Sequence, residues 1–452
     1  MSIAVIGTGY VGLVSGACFA EMGFSVTCID KDQTKISRLK KGVVPIYEPG
    51  LSELVKKNVS DGRLVFSGNL KTGVKGAKVI FIAVGTPTDE QDGSADLSYV
   101  FAAAKEIAAH IENDSVVVIK STVPLGTGRK VKEIITKANK KLEFHTVSNP
   151  EFLREGCAVK DFLQPDRVII GVDSARAKAV MQRLYQPMIN ENIPVVFTDI
   201  ETSELTKYAA NAFLATKIAF INEMADICDK SGANIDDVAL GMGLDPRIGK
   251  DYLRTGPGFG GSCFPKDTLA LRKMSYDIGS AVDIVKSVII SNDKRKLAMA
   301  EKVIKAHGGG VKGKSIAVLG LAFKADTDDI RASSALVIIA ELLDSGAALR
   351  IYDPEAMNNG RKVLSGDITW CADPYEAVKG ADSAVIITEW REFKEMSLHK
   401  IKSLLKSPLL IDLRNIFDLS DIKKVGFDYI SLGRKPVFQK QVRVSPRLVN
   451  RL

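Results

Sequence analysis

Ile3-Ala4-Val5-Ile6-Gly7-Thr8-Gly9-Tyr10-Val11-Gly12, continued by an amphipathic stretch to Met22, by Gly23 and by Ser25-Val26-Thr27-Cys28-Ile29-Asp30, is the segment whose reading decides the fold. The opening apolar run reads as a parallel strand buried on both faces. A helix follows from about Val11 to Met22, Gly23 stops it, and the second strand ends in an acid. Strand, G-x-G-x-x-G, helix, strand and acid in this register are the fingerprint of a dinucleotide-binding βαβ unit. Gly7 serves the tight turn, Gly9 lets the backbone reach a pyrophosphate, Gly12 allows close helix packing and Asp30 is placed for a ribose hydroxyl. Tyr10 and Val11 belong to the same set. A carboxylate at Asp30 repels a 2′-phosphate and so argues for NAD over NADP, whereas nearby Lys35 would suit that phosphate.

Three more apolar runs end in small or polar residues. Val79 to Val84 leads into Gly85-Thr86-Pro87; Val116 to Lys120 leads into Ser121-Thr122-Val123-Pro124; Phe144 to Val147 leads into Ser148-Asn149-Pro150-Glu151-Phe152-Leu153-Arg154-Glu155-Gly156. Ligands of open α/β sheets bind beyond the carboxyl ends of the strands, so these loops are expected around the nicotinamide end of the cofactor. Each loop taken singly also reads as ordinary turn chemistry.

From about Thr202 to Lys230 the chain has neither Gly nor Pro and reads as one helix of roughly 40 Å, long enough to join two domains and to pair with a second copy. Lys207 and Asn211 lie four apart on one of its faces. A second α/β unit begins near residue 312, where Lys314 to Gly320 echoes the opening strand, Leu349-Arg350-Ile351-Tyr352-Asp353 again ends in an acid, and Ser383 to Thr388 and Leu409 to Asp412 read as two more buried strands. There the glycine fingerprint is replaced by Gly320-Leu321-Ala322-Phe323-Lys324, a bulky cationic loop suited to a phosphate-bearing ligand other than NAD. The expected fold is α/β, with two Rossmann-like doubly wound parallel-sheet domains joined by a long central helix. The boundaries expected are 1–200 for the NAD domain, 201–300 for the helical dimerisation region, 301–435 for the second nucleotide-binding domain and 436–452 for a basic tail. A cleft between domains is the expected place for an active site.

The bulk properties agree with this. A chain of 452 residues, 46% hydrophobic and 26% charged, holds two or three globular domains. The formal charge of +8 is spread among 54 acids, which speaks against nucleic acid and is compatible with attraction of small phosphorylated ligands. No apolar run reaches the roughly 18 residues of a membrane span, and Met1 leads straight into a strand, so a cytoplasmic protein without membrane partners is expected. Cys18, Cys28, Cys157, Cys228, Cys263 and Cys371 show no C-x-x-C spacing, so neither disulfides nor a metal site is indicated.

One cysteine stands apart. Gly256-Pro257-Gly258-Phe259-Gly260-Gly261-Ser262-Cys263-Phe264-Pro265-Lys266-Asp267 is a glycine-rich loop that lets backbone approach a ligand and runs into a helix with Pro265 near its start. Cysteines are often small buried hydrophobes. At a helix N-terminus beside Lys266, however, the thiolate of Cys263 is favoured, and the residue reads as a nucleophile. Hydride transfer between alcohol and carbonyl needs no thiol. A thiolate becomes useful when an aldehyde goes on to an acid through a thioester.

The chain resembles the UDP-glucose 6-dehydrogenases within the nucleotide-sugar dehydrogenase family, from residue 1 to about 435. The segments Gly260 to Asp267, Asn149 to Gly156 and Lys207-Tyr208-Ala209-Ala210-Asn211-Ala212-Phe213 carry the resemblance. It implies two successive NAD-dependent oxidations at C6 of UDP-glucose, giving UDP-glucuronate. By the same resemblance Cys263 is the nucleophile; Lys207 and Asn211 hold the C6 oxygen and stabilise oxyanions; Thr122, Glu151 and Asp267 position water and move protons, with Glu151 as base for thioester hydrolysis. Gly85, Thr86, Pro87, Thr122, Glu155, Lys266 and Arg331 would join the fingerprint residues around the cofactor. Phe152, Leu153, Tyr252, Phe259, Gly260, Lys324 and Arg414 would contact the substrate together with Glu151, Lys207 and Asn211. Arg247 would reach into a neighbouring subunit's site in a homodimer or higher oligomer, and the arginine of Asp412-Leu413-Arg414 is preceded by a larger residue than is usual.

Alternatives are the same chemistry on GDP-mannose or a UDP-N-acetylhexosamine, a two-electron hydroxyacid or hydroxyacyl dehydrogenase, and a non-enzymatic NAD sensor. Phe264 and the uridine-side residues favour UDP-glucose. Cys263 and the second sheet set the chain apart from the two-electron enzymes.

Overall fold

The structure, a computed structural model, describes residues 1–89 and 91–439, so most of the expected basic tail over 436–452 lies outside the described residues. The described chain divides into two compact units, one of Met1–Asn211 with Leu269–Ala281, the other of Ala212–Thr268 with Val282 onward.

The sheet of the first unit contains β1 (Ser2–Ile6), β2 (Ser25–Ile29), β3 (Leu64–Ser67), β4 (Val79–Ile82), β5 (Ser115–Ile119), β6 (Phe144–Ser148), β7 (Val168–Val172) and β8 (Val195–Thr198) in the order 3-2-1-4-5-6-7-8. All neighbours pair in parallel except β6 and β7, which are antiparallel. The central strands are buried along their length because helices cover both faces, which is why they read as continuous apolar runs. The helix Tyr10–Glu21 lies so close to the sheet that a Cβ on Gly16 would sit 2.3 Å from Cys28 Sγ. Farther along it, Phe19 stacks on Phe81 at 5.0 Å and meets Phe162 edge-on at 4.9 Å.

The second unit carries a six-stranded, wholly parallel sheet of β9 (Ser315–Leu319), β10 (Ala348–Tyr352), β11 (Ile368–Trp370), β12 (Ser383–Ile386), β13 (Leu409–Asp412) and β14 (Asp428–Ile430) in the order 11-10-9-12-13-14. Strand order reverses beside β1 in one sheet and beside β9 in the other, the mark of doubly wound topology. The α/β class with two such sheets and a long helix is what the sequence pattern implied.

That helix, Ile200–Ser231, begins in the first unit and ends in the second. Asp199 caps its start by accepting from Thr202 N at 2.7 Å and Thr202 Oγ1 at 2.8 Å. Ser203 Oγ donates to Ser148 O at 3.2 Å, which ties the first turn of the helix to the end of β6.

Candidate active site

In the first unit, Gly7 has φ +97° and a Cβ there would lie 2.5 Å from Ala83 O, so only glycine fits the turn after β1. A Cβ on Gly12 would fall 2.0 Å from Gly7 O, whereas one on Gly9 would meet nothing within 4 Å. The three glycines thus do what the fingerprint asks: turn, open approach and close packing. The helix starting at Tyr10 has no side-chain cap, so its first N–H groups and the positive end of its dipole suit an anion such as a pyrophosphate. Asp30 Oδ2 accepts from Thr8 N (2.9 Å), Thr8 Oγ1 (2.6 Å) and Lys35 Nζ (3.1 Å). Partial burial works to raise its pKa, but the bonds from Thr8, Asp32 and Lys35 prevail and hold the carboxyl below the usual range. Lys35 is therefore the ion-pair partner of Asp30, not a free cation for a 2′-phosphate. These residues fit a dinucleotide with an unmodified ribose.

The loops after β4, β5 and β6 are tied to each other and to the long helix. Thr86 Oγ1 donates to Thr122 O at 3.0 Å, while Gly85 has open space where a side chain would stand. Glu151 and Lys207 are both buried, and Lys207 Nζ lies 3.4 Å from Glu151 Oε1. The other oxygen, Oε2, accepts from Leu153 N. Lys207 Nζ also lies 5.1 Å from the centre of the Phe152 ring, which Arg167 approaches at 3.8 Å. Asn211, one turn beyond Lys207, is buried as well. The structure therefore brings the Glu151 loop and Lys207 together, and seats Asn211 a turn farther along the helix.

Two buried charges here were not singled out from sequence. Lys120, at the end of β5, donates to Asn149 Oδ1 at 3.3 Å; burial, reinforced by the charge of Lys207 and opposed by that of Glu151, pushes its ammonium down to about 8. Glu204 accepts from Gly126 N at 2.7 Å and Gly128 N at 2.8 Å, so it caps the helix Thr127–Ala138 from another helix, and burial pushes its carboxyl up to about 7. A lysine closing an apolar strand was a signal for the first. Nothing in local sequence marks the second.

In the second unit, Cys263 immediately precedes the helix Phe264–Asp277, and its carbonyl accepts from Asp267 N at 2.8 Å. The helix begins one residue before Pro265. Cys263 is partly exposed, with Ser262 Oγ 3.5 Å from its Sγ. Cys18, Cys28, Cys228 and Cys371 are buried, and burial pushes all four thiols up, Cys28 to about 12. Lys266 Nζ donates to Asp267 Oδ1 at 2.6 Å, and that carboxylate is buried. This pairing makes Lys266 the counter-ion of Asp267.

Two of the glycines before Cys263 also meet the chain itself. Gly261 (φ +82°) donates to Arg331 O at 2.8 Å, and a Cβ there would press on the Phe323 ring at 2.7 Å. One on Gly260 would meet Ala332 O at 2.5 Å. They let the Cys263 loop lie against the chain's own Phe323 and Ala332. Phe259 is buried in a small core with Ala215, Ala219 and Val288, and Tyr252 and Phe264 lie near it through ring centres 6.1 Å (Phe259–Phe264) and 6.0 Å (Tyr252–Phe264) apart. Arg414 is partly buried, donating to Ile387 O and Phe323 O at 2.8 Å each and pairing with Glu389 at 3.0 Å, so it braces the loop that carries Lys324. Lys324 Nζ lies 5.6 Å from the Phe323 ring centre. Arg331 and Arg247 are both exposed and paired with Asp329 and Asp245.

Three models of the UDP-glucose/GDP-mannose dehydrogenase family match in sequence order: the NAD binding domain over residues 1–189, the central domain over 201–294 and the UDP binding domain over 317–419. A UDP-glucose 6-dehydrogenase of Rhizobium meliloti (strain 1021) is 56% identical over 436 residues, covering 96% of this chain and 100% of the relative. One of Bacillus subtilis (strain 168) is 49% identical, covering 96% and 94%. Among solved structures, a UDP-glucose dehydrogenase from Pyrobaculum islandicum superposes with a TM-score of 0.86 at 37% identity, covering 92% of this chain and 94% of its own. A UDP-D-ManNAc dehydrogenase from Pyrococcus horikoshii gives 0.84 at 28% identity, covering 96% and 99%. Matched along both units by sequence and by fold, the chain belongs to the UDP-glucose/GDP-mannose dehydrogenase family.

Proposed function

We propose that this protein oxidises UDP-glucose at C6 to UDP-glucuronate in two NAD-dependent steps. The observation that carries the reading is the thiol of Cys263, partly exposed at the start of a helix while four other thiols are buried and pushed up. The choice of UDP-glucose over other nucleotide sugars is supported by near full-length relatives of that name at 56% and 49% identity.

Bound NAD would supply the acceptor for one hydride in each step. Gly7, Gly9, Tyr10, Val11, Gly12 and Asp30 would hold it, and Gly85, Thr86, Pro87, Glu155, Lys266 and Arg331 would be its further contacts. The chain's own groups do the rest. Lys207 and Asn211 hold the C6 oxygen of the alcohol and then of the aldehyde. The Cys263 thiolate adds to the aldehyde carbon, forming a C–S bond and a thiohemiacetal. After the second oxidation Cys263 carries a thioester, which water cleaves: the C–S bond breaks, the carboxylate leaves and the thiolate is restored. Glu151 takes the proton from that water and Lys207 faces the developing oxyanion. Asp267, paired with Lys266, and Thr122 complete the proton path. Lys324, Phe152, Leu153, Tyr252, Phe259, Gly260 and Arg414 would contact the substrate.

A second copy completes the assembly. Phe213, Phe220 and Ile227 are exposed at seven-residue intervals on the long helix, a stripe suited to a symmetry-related partner, and Arg247 is exposed to reach that partner. No helix among the described residues is long and apolar enough to cross a membrane. We place the enzyme in the cytoplasm.

Purified protein supplied with NAD and a panel of nucleotide sugars should form two NADH per UDP-glucose; one NADH with a free hydroxyacid, or none, would overturn the reading. Cys263→Ala should abolish UDP-glucuronate formation and keep NAD binding. Loss of NAD binding in that variant would make the cysteine structural.

A further inference from the structure

Glu48 has no part in the chemistry above, yet it is 6% exposed and its carboxylate collects three donors from two distant segments of the first unit. Oε2 accepts from Gly156 N at 2.7 Å and from the hydroxyl of Tyr10. Oε1 accepts from Ala158 N at 2.7 Å. Gly156 N lies in addition 3.2 Å from Tyr10 Oη, so the three groups form one closed cluster. Tyr10 is the first residue of the fingerprint helix, Gly156 ends the loop that contains Glu151 and Glu155, and Ala158 opens the helix Ala158–Leu163. A buried carboxylate satisfied by neutral donors is held in one place, because losing any of them leaves a buried polar group unpaired.

We propose that Glu48 is a positioning residue for the cofactor, holding the Asn149–Gly156 loop in register with the glycine turn that takes the pyrophosphate. The inference rests on the NAD reading above. Through Tyr10 it fixes one side of the cofactor site and through Gly156 the neighbour of Glu155. Burial and the charge of Glu48 push the Tyr10 hydroxyl far up, so it remains a donor at every pH of interest. A carboxylate supplies acceptors for all three donors; an amide of the same shape supplies one oxygen and turns N–H toward N–H.

The test is Glu48→Gln with three readouts. Calorimetry should show NAD binding weakened about tenfold or more, the order expected for lost charge-assisted hydrogen bonds. The KM for UDP-glucose should move less than the affinity for NAD, since Glu48 grips the loop at Gly156, three residues beyond the substrate contacts Phe152 and Leu153. In the free enzyme, amide exchange at Gly156 and Ala158 should accelerate without a matching fall in the global unfolding transition. Tyr10→Phe, which removes one donor only, should weaken NAD less, and the double variant should fall short of the product of the two effects. Wild-type NAD affinity together with wild-type exchange in Glu48→Gln would overturn the inference. If that variant does not fold, unchanged NAD affinity in Tyr10→Phe overturns it. Wild-type protein that binds NAD but leaves UDP-glucose untouched would instead overturn the substrate reading and leave this one standing.

Discussion

After β1 the chain turns at Gly7 and is helical again by Tyr10; after β9 it turns at Gly320 and is not helical until Ser334. Both turns are met by an acid at the end of the next strand, Asp30 in one and Asp353 in the other, but the two acids do different work. Asp30 accepts one backbone N–H from its turn, from Thr8, and keeps an exposed edge. Asp353 is 1% exposed and takes Leu321 N, Ala322 N, Glu355 N, Ala356 N and the Trp390 indole N–H. The helix after the second turn is also closed from within, because Ser333 Oγ accepts from Ala335 N at 3.2 Å while donating to Leu321 O at 2.8 Å. Whether a Rossmann-like turn can take a dinucleotide thus depends on which donors the protein has already used itself. The second sheet keeps the architecture and has internalised the anion site. The loop between Gly320 and Ser333, which carries Lys324, is the one we propose for contact with the substrate.

Three substitutions would break or sharpen this contrast. Asp353→Ala should have the largest effect, a loss of about 3–5 kcal/mol read by urea unfolding, because it strands four buried donors and the less buried Glu355 N–H at once. A change below about 1 kcal/mol would mean that Asp353 is not the plug of the second turn. Asp30→Asn should cost only about 1 kcal/mol, and that difference should depend on pH. The folded-state pKa of Asp30 is lowered, so its stabilisation is present above the unfolded value of about 3.9 and is lost as pH falls below it. Unfolding of variant and wild type should therefore converge toward pH 3; a difference that grows on acidification would reverse the sign assigned to Asp30. Gly9→Ala should be the mildest for the fold, neutral or stabilising by less than about 1 kcal/mol, since the new methyl meets nothing within 4 Å. It should nevertheless raise the KM for NAD about tenfold by standing where backbone approaches the pyrophosphate. A stable variant with unchanged KM would move the cofactor away from this turn.

How much of this was legible beforehand follows burial. The strands recognised in sequence, β1, β2, β4, β5 and β6 in one sheet and β9, β10, β12 and β13 in the other, lie in the interior of their sheets and carry apolar runs. Those passed over include the edge strands β3, β8, β11 and β14, where half-exposed or very short segments blur the pattern. β7 is apolar and was missed too, and it is the strand that pairs antiparallel with β6. Among site residues, the fingerprint glycines and Asp30 were legible because their spacing is itself the mechanism. Lys207 and Asn211 were placed correctly on one helix, but only the folded chain shows Lys207 paired with Glu151. Glu48, Lys120 and Glu204 escaped because their partners lie far away in sequence, as with Glu48 and Gly156.

By itself, then, the sequence determined the class of the two sheets, the glycine turn that suits NAD, the long helix and the placing of Cys263 at a helix start. All of these rest on local spacing, set by backbone geometry and periodic burial. Tertiary structure alone decided that Lys35 belongs to Asp30 and Lys266 to Asp267, that the glycines before Cys263 accommodate Phe323 and Ala332, and that Asp353 plugs the second turn. Such facts depend on which donor or ring arrives from a distant segment, and buried polar groups must find partners wherever the fold brings them.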